Sequence, residues 1–484
     1  MKVVRAEEMT RIEKVSIEEG ASDEEYMLKA GEGIADRVEA FIEERILEKC
    51  VTLLVGKGNN GGDAFVAGTF LLNRGFHVEA YHVAAMEESS PLCQKHGKGF
   101  RGKFQEVLEL KGVLVDGLLG TGFQGVVKGK LQEIIEKVNR SKLPVLAIDI
   151  PSGVNGNTGE AAVAIEATET LYLGMAKRGF FVGEGYNYVG QLRGIDFGMD
   201  QKYVKEATGV GYMVNEKELP TLLPPLKRDR HKYQAGYVIA VAGSPGMPGA
   251  AMLSCLAALR AGAGIVRLFH PEGMEKELAP SALELIRTPY KWGDDTPILE
   301  EAKRAKGCLI GPGMGKGEKV RAFLEALVPK LHLPMVIDAD ALYHLKRFPK
   351  GAILTPHHQE MLHLLGKDEL SHDDCQTFAD EHEVTVVLKG APTWIFHPKT
   401  LPLIIPKGDP GMATAGTGDV LTGMIAAFLS QEVIGREGAA LGVYLHGEAG
   451  EIAAKEKTSY DMIASDLIQA LPSAFQKLFS LGSA

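Results

Sequence analysis

The residues best suited to chemistry in this chain run from Asp409 to Met424, Asp-Pro-Gly-Met-Ala-Thr-Ala-Gly-Thr-Gly-Asp-Val-Leu-Thr-Gly-Met. The stretch reads as a small-residue loop leading into a helix, because Val420, Leu421, Met424, Ile425, Phe428 and Leu429 keep the spacing of a buried helical face. Gly416 and Gly418 permit a tight turn and leave no side chain in the path of a ligand. The first amides of a helix lack internal partners and carry the positive end of its dipole, which suits a phosphate. Asp419 stands among those amides. A carboxylate there would take the proton of a substrate hydroxyl while the amides hold the charge on a phosphoryl group in transfer. A helix start that needs only a cap has the same composition, so spacing alone leaves both readings open.

Three more motifs stand in the first half. Gly56-Lys-Gly-Asn-Asn-Gly-Gly-Asp63 follows the apolar run Val51 to Val55 and precedes a helical pattern from Ala64 to Leu72. Strand, Gly-rich turn and helix is the order of a phosphate-binding α/β unit, although neither the dinucleotide fingerprint nor a Walker loop is present. Val113 to Val115 leads to Asp116-Gly-Leu-Leu-Gly-Thr-Gly122, and Pro144 to Ile148 leads to Asp149-Ile-Pro-Ser-Gly153. Ligands of open parallel sheets bind outside the carboxyl ends of the strands. Three strand ends would therefore bring Asn60, Asp116, Asp149 and Ser152 to one edge. Neutral oxygens around a single carboxylate suit a hard cation, and a monovalent one would be held there.

The elements that must carry these residues are α/β throughout. Residues 5 to 48 read as helical, and Thr170 to Leu173 and Leu192 to Phe197 read as further strands of the first sheet. Residues 214–235 hold three prolines and a charge cluster, the strongest boundary signal in the chain. The pattern then restarts. Strands are expected at Tyr237 to Ala242, Ile265 to Phe269, Cys308 to Ile310, Met335 to Ile337, Ala352 to Leu354 and Val384 to Leu388, with a small-residue helix from Ala250 to Ala261. Their ends carry Gly311-Pro-Gly-Met-Gly315, Asp338-Ala-Asp340, Thr355-Pro-His-His-Gln-Glu360 and Lys389-Gly-Ala-Pro-Thr393. Each has an ordinary alternative: a hydrogen-bonded structural role for His357, a strand turn for Lys389, a helix cap for Asp340.

At 484 residues the chain exceeds one core, and domains 1–213 and 225–484 joined by a linker at 214–224 are expected. A net charge of −10 without a basic block argues against nucleic acid and anionic membranes as partners. The charged start lacks the apolar core of a signal peptide, and no apolar run spans a bilayer. Five scattered cysteines without metal or redox spacing read as reduced thiols of a cytoplasmic protein.

Taken in order, the motifs resemble two known families. Residues 1–213 resemble NAD(P)H-hydrate epimerase, through Gly58-Asn-Asn-Gly-Gly-Asp63, Asp116-Gly-Leu-Leu-Gly-Thr-Gly122 and Asp149-Ile-Pro-Ser-Gly153. Residues from about 225 onward resemble ADP-dependent NAD(P)H-hydrate dehydratase, through Gly243-Ser-x-x-x-x-Gly-Ala250, Gly311-Pro-Gly-x-Gly315, Thr355-Pro-His357, Lys389-Gly-x-x-Thr393, Gly416-Thr-Gly-Asp419 and Tyr444-Leu-His-Gly447. The resemblance implies a Rossmann-like three-layer α/β domain followed by a ribokinase-like α/β domain. It implies that Asn59, Asn60, Gly61, Gly62, Asp63, Gly120, Thr121, Gly122, Phe123, Gln124, Gly125, Val126 and Asp149 hold the hydrated dinucleotide in the first domain. Asn60, Asp116 and Ser152 would hold potassium there. In the second domain Ala250, Gly313, His357 and Asp419 would face the substrate, and Lys389, Gly390, Ala391, Pro392, Thr393 and Gly418 would hold ADP, with magnesium. Ala64 stands where the epimerase family has Gly, which narrows the substrate's approach. Asp409 stands where the dehydratase family has Asn, which adds a negative charge beside the nucleotide.

The implied substrate is NADH or NADPH carrying a hydroxyl on ring carbon 6 after hydration. Hydroxide leaves poorly. Phosphorylation by ADP, with Asp419 as base, would turn it into a good leaving group, and loss of phosphate would restore the double bond and leave AMP. One epimer, S, would be dehydrated, and the first domain, with Asp149 as its acid/base, would interconvert R and S. The expected partners are these small molecules and copies of the chain in a homo-oligomer. A small-molecule kinase of the same fold, or a nucleotide-binding module without catalysis, would use the same Gly-Thr-Gly-Asp stretch. The first domain has no task in the kinase reading.

Overall fold

The computed structural model describes residues 1–482. The chain divides into two compact units, Met1–Tyr212 and Met213–Ala484, each with its own parallel sheet.

In the first unit seven strands lie parallel in the order Lys103–Phe104, His77–His82, Cys50–Val55, Val113–Gly117, Val145–Ile148, Glu169–Leu173, Gln191–Ile195. The central strands are continuous apolar runs because both faces are covered. One core lies under the helices Asp23–Glu44 and Asn59–Asn73, with Ile34, Phe65 and Leu53. The other lies under Lys130–Ser141, with Leu54, Leu114 and Ile135. This is the expected Rossmann-like three-layer form. The chain runs outward in opposite directions from Cys50–Val55 and Val113–Gly117, so the crevice between their ends is the switch point where ligands bind.

The expected helix over 5 to 48 is two helices, Ala6–Glu18 and Asp23–Glu44, parted at Gly20, whose φ is 107°. Ser22 restarts the chain as a cap, its hydroxyl accepting from the Glu25 amide 3.2 Å away. The helix expected from Ala64 begins earlier, at Asn59, so the Gly-rich motif is the helix's own first turn. His77–His82 was not legible as a strand because His and Glu alternate with its apolar residues. Outside the seven-stranded sheet, Lys2–Val4 pairs antiparallel with Gly209–Met213 and parallel with Ala176–Lys177.

In the second unit the order is Ile286–Tyr290, Ile265–Pro271, Tyr237–Val241, Gly307–Ile310, Met335–Ile337, Ile353–Leu354, Thr385–Leu388, all parallel. The antiparallel hairpin of Thr393–Phe396 and Leu403–Ile405 follows. That mixed sheet is the expected ribokinase-like form. The helix Thr417–Ser430 is buried on every side from Val420 to Ser430, more deeply than the one-face spacing implied. It packs in a single core with Cys255, Tyr444 and Leu467 from the helices Pro248–Arg260, Gly435–Glu456 and Ala464–Leu481. The switch point lies between Tyr237–Val241 and Gly307–Ile310, where the Gly243 amide donates to the Pro312 carbonyl over 2.8 Å.

Candidate active sites

At the first switch point the strand ends approach so closely that a β-carbon on Gly56 would stand 1.8 Å from the Leu118 carbonyl oxygen. Beside this contact opens a cavity of about 560 Å³, within the range of roughly 300–1,000 Å³ usual for small-molecule sites. Asn59, Asn60, Asp63, Gly120, Thr121, Gly122, Phe123 and Asp149 line it. Gly61 and Gly62 do not. They are buried in the helix, where Gly62 lies against Met27 and the Cys93 backbone. Gln124 is absent from the wall, and Gly125 and Val126 border a separate cavity of about 280 Å³. Ala64 is also absent: its methyl lies in the sheet-facing core, 3.0 Å from where a β-carbon on Gly117 would be, so it does not narrow the substrate's path.

Asn60, Asp116 and Ser152 form one network. The Asn60 amide donates to the Leu119 and Ile148 carbonyls at 3.0 and 2.9 Å. The Leu119 amide donates to Ser152 Oγ at 2.9 Å, and Ser152 donates through Oγ and N to the two Asp116 oxygens at 2.6 and 2.8 Å. Asp116 is wholly buried, which pushes its carboxyl up to about 6 against these hydrogen bonds, and no cationic side chain contributes. A buried carboxylate met only by neutral oxygens and amides is a donor set that fits a monovalent hard cation.

Asp149 sits at a φ of 62° at the end of Val145–Ile148 and forms a short ion pair with buried Lys177. Lys177 also donates to the Leu173 carbonyl at 2.9 Å. Asp63, 5% exposed, is raised well above the usual carboxylate range by burial, then by the charges of Asp149 and Glu13. The sequence reading missed Glu13, Tyr26 and Phe197 on the cavity wall. Tyr26 and Phe197 meet edge to face at 5.0 Å. Both come from segments distant in sequence that carry no motif.

In the second unit, Asp419 lies in the first turn of Thr417–Ser430, after Gly416 at a φ of 94°. Burial pushes its carboxyl up to about 7; Asp338 adds to this and Lys389 opposes it. Lys389 Nζ donates to Asp338 Oδ1 at 2.9 Å and stands 3.7 Å from Glu360 Oε2. Burial disfavours the Lys389 charge, but Asp338 and Glu360 outweigh that and raise its pKa. The Thr422 hydroxyl donates to Asp338 Oδ2 at 2.6 Å, tying the helix to the strand end. A β-carbon on Gly418 would lie 3.4 Å from Lys389 Nζ, so the first turn of the helix and this lysine border one space.

His357 is the N-cap of His358–Leu365: its Nδ1 accepts from the Gln359 and Glu360 amides at 3.1 and 3.3 Å, and its own amide donates to Glu360 at 2.8 Å. Its Nε2 lies 3.5 Å from Glu360 Oε1, and the side chain is 51% exposed. Asp340 does not cap its helix. Its Oδ2 accepts from the Gly315 amide at 2.7 Å and fixes the Gly-rich loop. Gly313 stands against Ala250, with a would-be β-carbon 3.1 Å from the Ala250 methyl. Gly390, Ala391, Pro392 and Thr393 form the turn after Lys389, closed by the Thr393 hydroxyl donating to the Gly390 carbonyl at 3.1 Å. Asp409 accepts from the Gly411 amide at 2.8 Å and caps its own turn, so its charge is partly held by the backbone. Half-buried His446 contacts the Thr417 carbonyl at 2.9 Å, and desolvation pushes it down to about 4.

Comparison with known proteins gives a consistent result. Residues 238–473 match the family described as NAD(P)H-hydrate dehydratase, and residues 23–179 match the family described as YjeF-related protein N-terminus. A bifunctional NAD(P)H-hydrate repair enzyme of Moorella thermoacetica is 33% identical over 521 residues, covering 99% of this chain and 97% of that one. Its counterpart in Coxiella burnetii is 32% identical over 482 residues, covering 96% and 97%. A ribokinase-like superfamily protein from Enterococcus faecalis has a similar structure, with a TM-score of 0.51 and 27% identity over 55% of this chain and 96% of that one.

Proposed function

The chain belongs to the bifunctional NAD(P)H-hydrate repair enzymes, and on that premise we propose how its residues divide the work. The protein epimerises hydrated NAD(P)H and dehydrates it back to the reduced dinucleotide. The first unit performs the epimerisation and the second the dehydration, with ADP as phosphoryl donor and the S-epimer as substrate. The observation that carries the second assignment is Asp419, a carboxyl held near neutrality by burial in the first turn of a buried helix, next to the Lys389–Asp338 pair.

In that arrangement Asp419 takes the proton of the C6 hydroxyl as its oxygen attacks the terminal phosphorus of ADP. The amides at the start of Thr417–Ser430 and the Lys389 ammonium stabilise the phosphoryl oxygens. AMP leaves, and the C6 phosphate then departs with a proton lost from C5. A base with a pKa near 7 is poised for work at neutral pH, so the dehydration rate rises with pH through about 7 and flattens above it. Gly313 and Ala250 leave room for the nicotinamide, and the exposed side chain of His357 contacts the substrate. Lys389, Gly390, Ala391, Pro392, Thr393 and Gly418 hold the nucleotide. Magnesium would come to this site with the nucleotide phosphates and would offset their charge.

In the first unit Asn59, Asn60, Asp63, Gly120, Thr121, Gly122 and Phe123 bind the hydrated dinucleotide, with Asp149 as acid/base. The helix Asn59–Asn73 has no side-chain cap at Gly58, which leaves its leading amides for a phosphate. Asn60, Asp116 and Ser152 would hold potassium, which would neutralise the buried Asp116 and brace the Leu119 loop. The test is recovery of the reduced-nicotinamide absorbance from a mixture of both epimers with ADP, ATP or neither. Complete recovery with ADP is expected. Recovery stalling at the S fraction would remove the epimerase assignment, and no recovery with either nucleotide would remove the dehydratase assignment.

A further inference from the structure

The cavity of the first unit has two walls of different origin. The start of the helix Asn59–Asn73 supplies Asp63, the end of Val145–Ile148 supplies Asp149, and the helix Ala6–Glu18 supplies Glu13. Two other acidic residues of that helix are paired, Glu8 with Arg11 at 2.7 Å and Glu18 with Lys14 at 3.8 Å, and Glu7 is exposed. Glu13, next to the buried Ile12, is instead turned into the cavity. Its carboxyl has neither a hydrogen bond nor an ion pair among the described residues. An unpartnered carboxyl at a cavity wall is costly to keep and contributes nothing to folding. The other charged and titratable groups on the wall are Asp23, Tyr26, Lys57, Asp63 and Asp149, with Lys177 behind Asp149.

We propose that Glu13 is the second catalytic group of the epimerisation, exchanging protons with the substrate from the helix side while Asp149 does so from the strand-end side. The proposal rests on the epimerase reading of this unit. Ring carbon 6 of the hydrate bears a hydroxyl and is bonded to the ring nitrogen, so its configuration is lost without redox chemistry if the carbon–nitrogen bond opens. Asp149 accepts the hydroxyl proton. The oxygen's electron pair forms the second carbon–oxygen bond of an aldehyde. The C6–N1 pair goes to nitrogen, which is conjugated with the ring carboxamide, and the Glu13 carboxyl gives N1 its proton. Rotation about the C5–C6 bond then presents the other face of the carbonyl. Nitrogen adds back, its proton returns to Glu13, and Asp149 returns its proton to the oxygen. No atom is oxidised or reduced and no water enters. Burial, with Asp149 adding and Lys177 opposing, pushes Glu13 up to about 7, so both of its protonation states are populated at neutral pH.

The test is the interconversion of R- and S-hydrate, followed by chromatography with the full-length chain and its E13Q and E13D variants. E13Q keeps the size of the protonated acid, and thermal melting checks its fold. Expected for E13Q is a fall of about 100-fold or more in the epimerisation kcat, little change in KM, and loss of the pH limb near 7. E13D should recover part of the rate together with that limb. An E13Q enzyme with the wild-type rate and profile overturns the proposal. So does an equal loss in both variants accompanied by a raised KM, which would mark Glu13 as packing. If the wild-type chain itself fails to interconvert the epimers, the epimerase reading falls and the proposal with it.

Discussion

Replacing Asp419 with Asn should make the second unit more stable while removing its chemistry. The folded carboxyl titrates near 7, the unfolded one near 3.8. Between those values the unfolded chain gives up a proton that the folded chain keeps, so stability falls as pH rises. At about 1.36 kcal/mol for each unit, ionisable Asp419 costs roughly 1.5 kcal/mol at pH 5 and roughly 4 kcal/mol at pH 8. Asn is not ionised and escapes that cost. Because the Asp419 carboxyl has no hydrogen-bond partner among the described residues, the change leaves no such partner unpaired. Both tryptophans of the chain, Trp292 and Trp394, belong to the second unit, so urea melts followed by their fluorescence report on it alone. D419N should gain more at pH 8 than at pH 5, by about 2 to 3 kcal/mol. Its dehydration rate should fall about 100- to 10,000-fold. An advantage that does not change with pH, or a variant less stable than the wild type at pH 8, would refute the account of Asp419 as a carboxyl destabilised by burial.

Lys389→Met would leave buried Asp338 with only the Thr422 hydroxyl; a loss of about 3–5 kcal/mol is expected from the same melts, and a change under about 1 kcal/mol would mean the pair is not buried in solution. D149N should slow epimerisation by about 100-fold or more and leave dehydration of pure S-hydrate unchanged; recovery of a mixed sample at the wild-type pace would exclude Asp149 from catalysis. Ser152→Ala removes the 2.6 Å bond to Asp116 and the acceptor of the Leu119 amide. Epimerisation should then lose its response to potassium chloride relative to choline chloride, and an unchanged response would separate Ser152 from the cation.

Much of this protein was legible before any coordinates. Strand runs such as Val51 to Val55 and Met335 to Ile337 stand out because strands buried on both faces must be continuously apolar. The motifs stand out because glycines and carboxylates at strand ends have little other reason to cluster. Gly311 shows the reason physically: its φ is 123°, and a β-carbon there would come within 1.9 Å of the Asp338 carbonyl oxygen. The strand-end rule thus brought Asn60, Asp116, Asp149 and Ser152 to one edge, where they lie around the Leu119 loop and the Lys177 pair.

What the sequence by itself determined was the local part: which segments are strands and helices, and which strand ends carry polar groups. Those follow from nearest-neighbour patterning and backbone sterics. Tertiary structure decided the electrostatics and the company each group keeps. Nothing near Glu13 in sequence says that it shares a cavity with Asp63 and Asp149, or that burial lifts it to about 7. Nor does Lys177 announce its partner: the parallel pairing of Val4 with Lys177 fixes its backbone, and the ion pair spans 28 residues. Gly61, Gly62 and Ala64 belong to the same motif as Asn60 and Asp63, yet the helical turn directs them into the protein. Proton affinities depend on burial and on charges distant along the chain, and those are set only when the layers close.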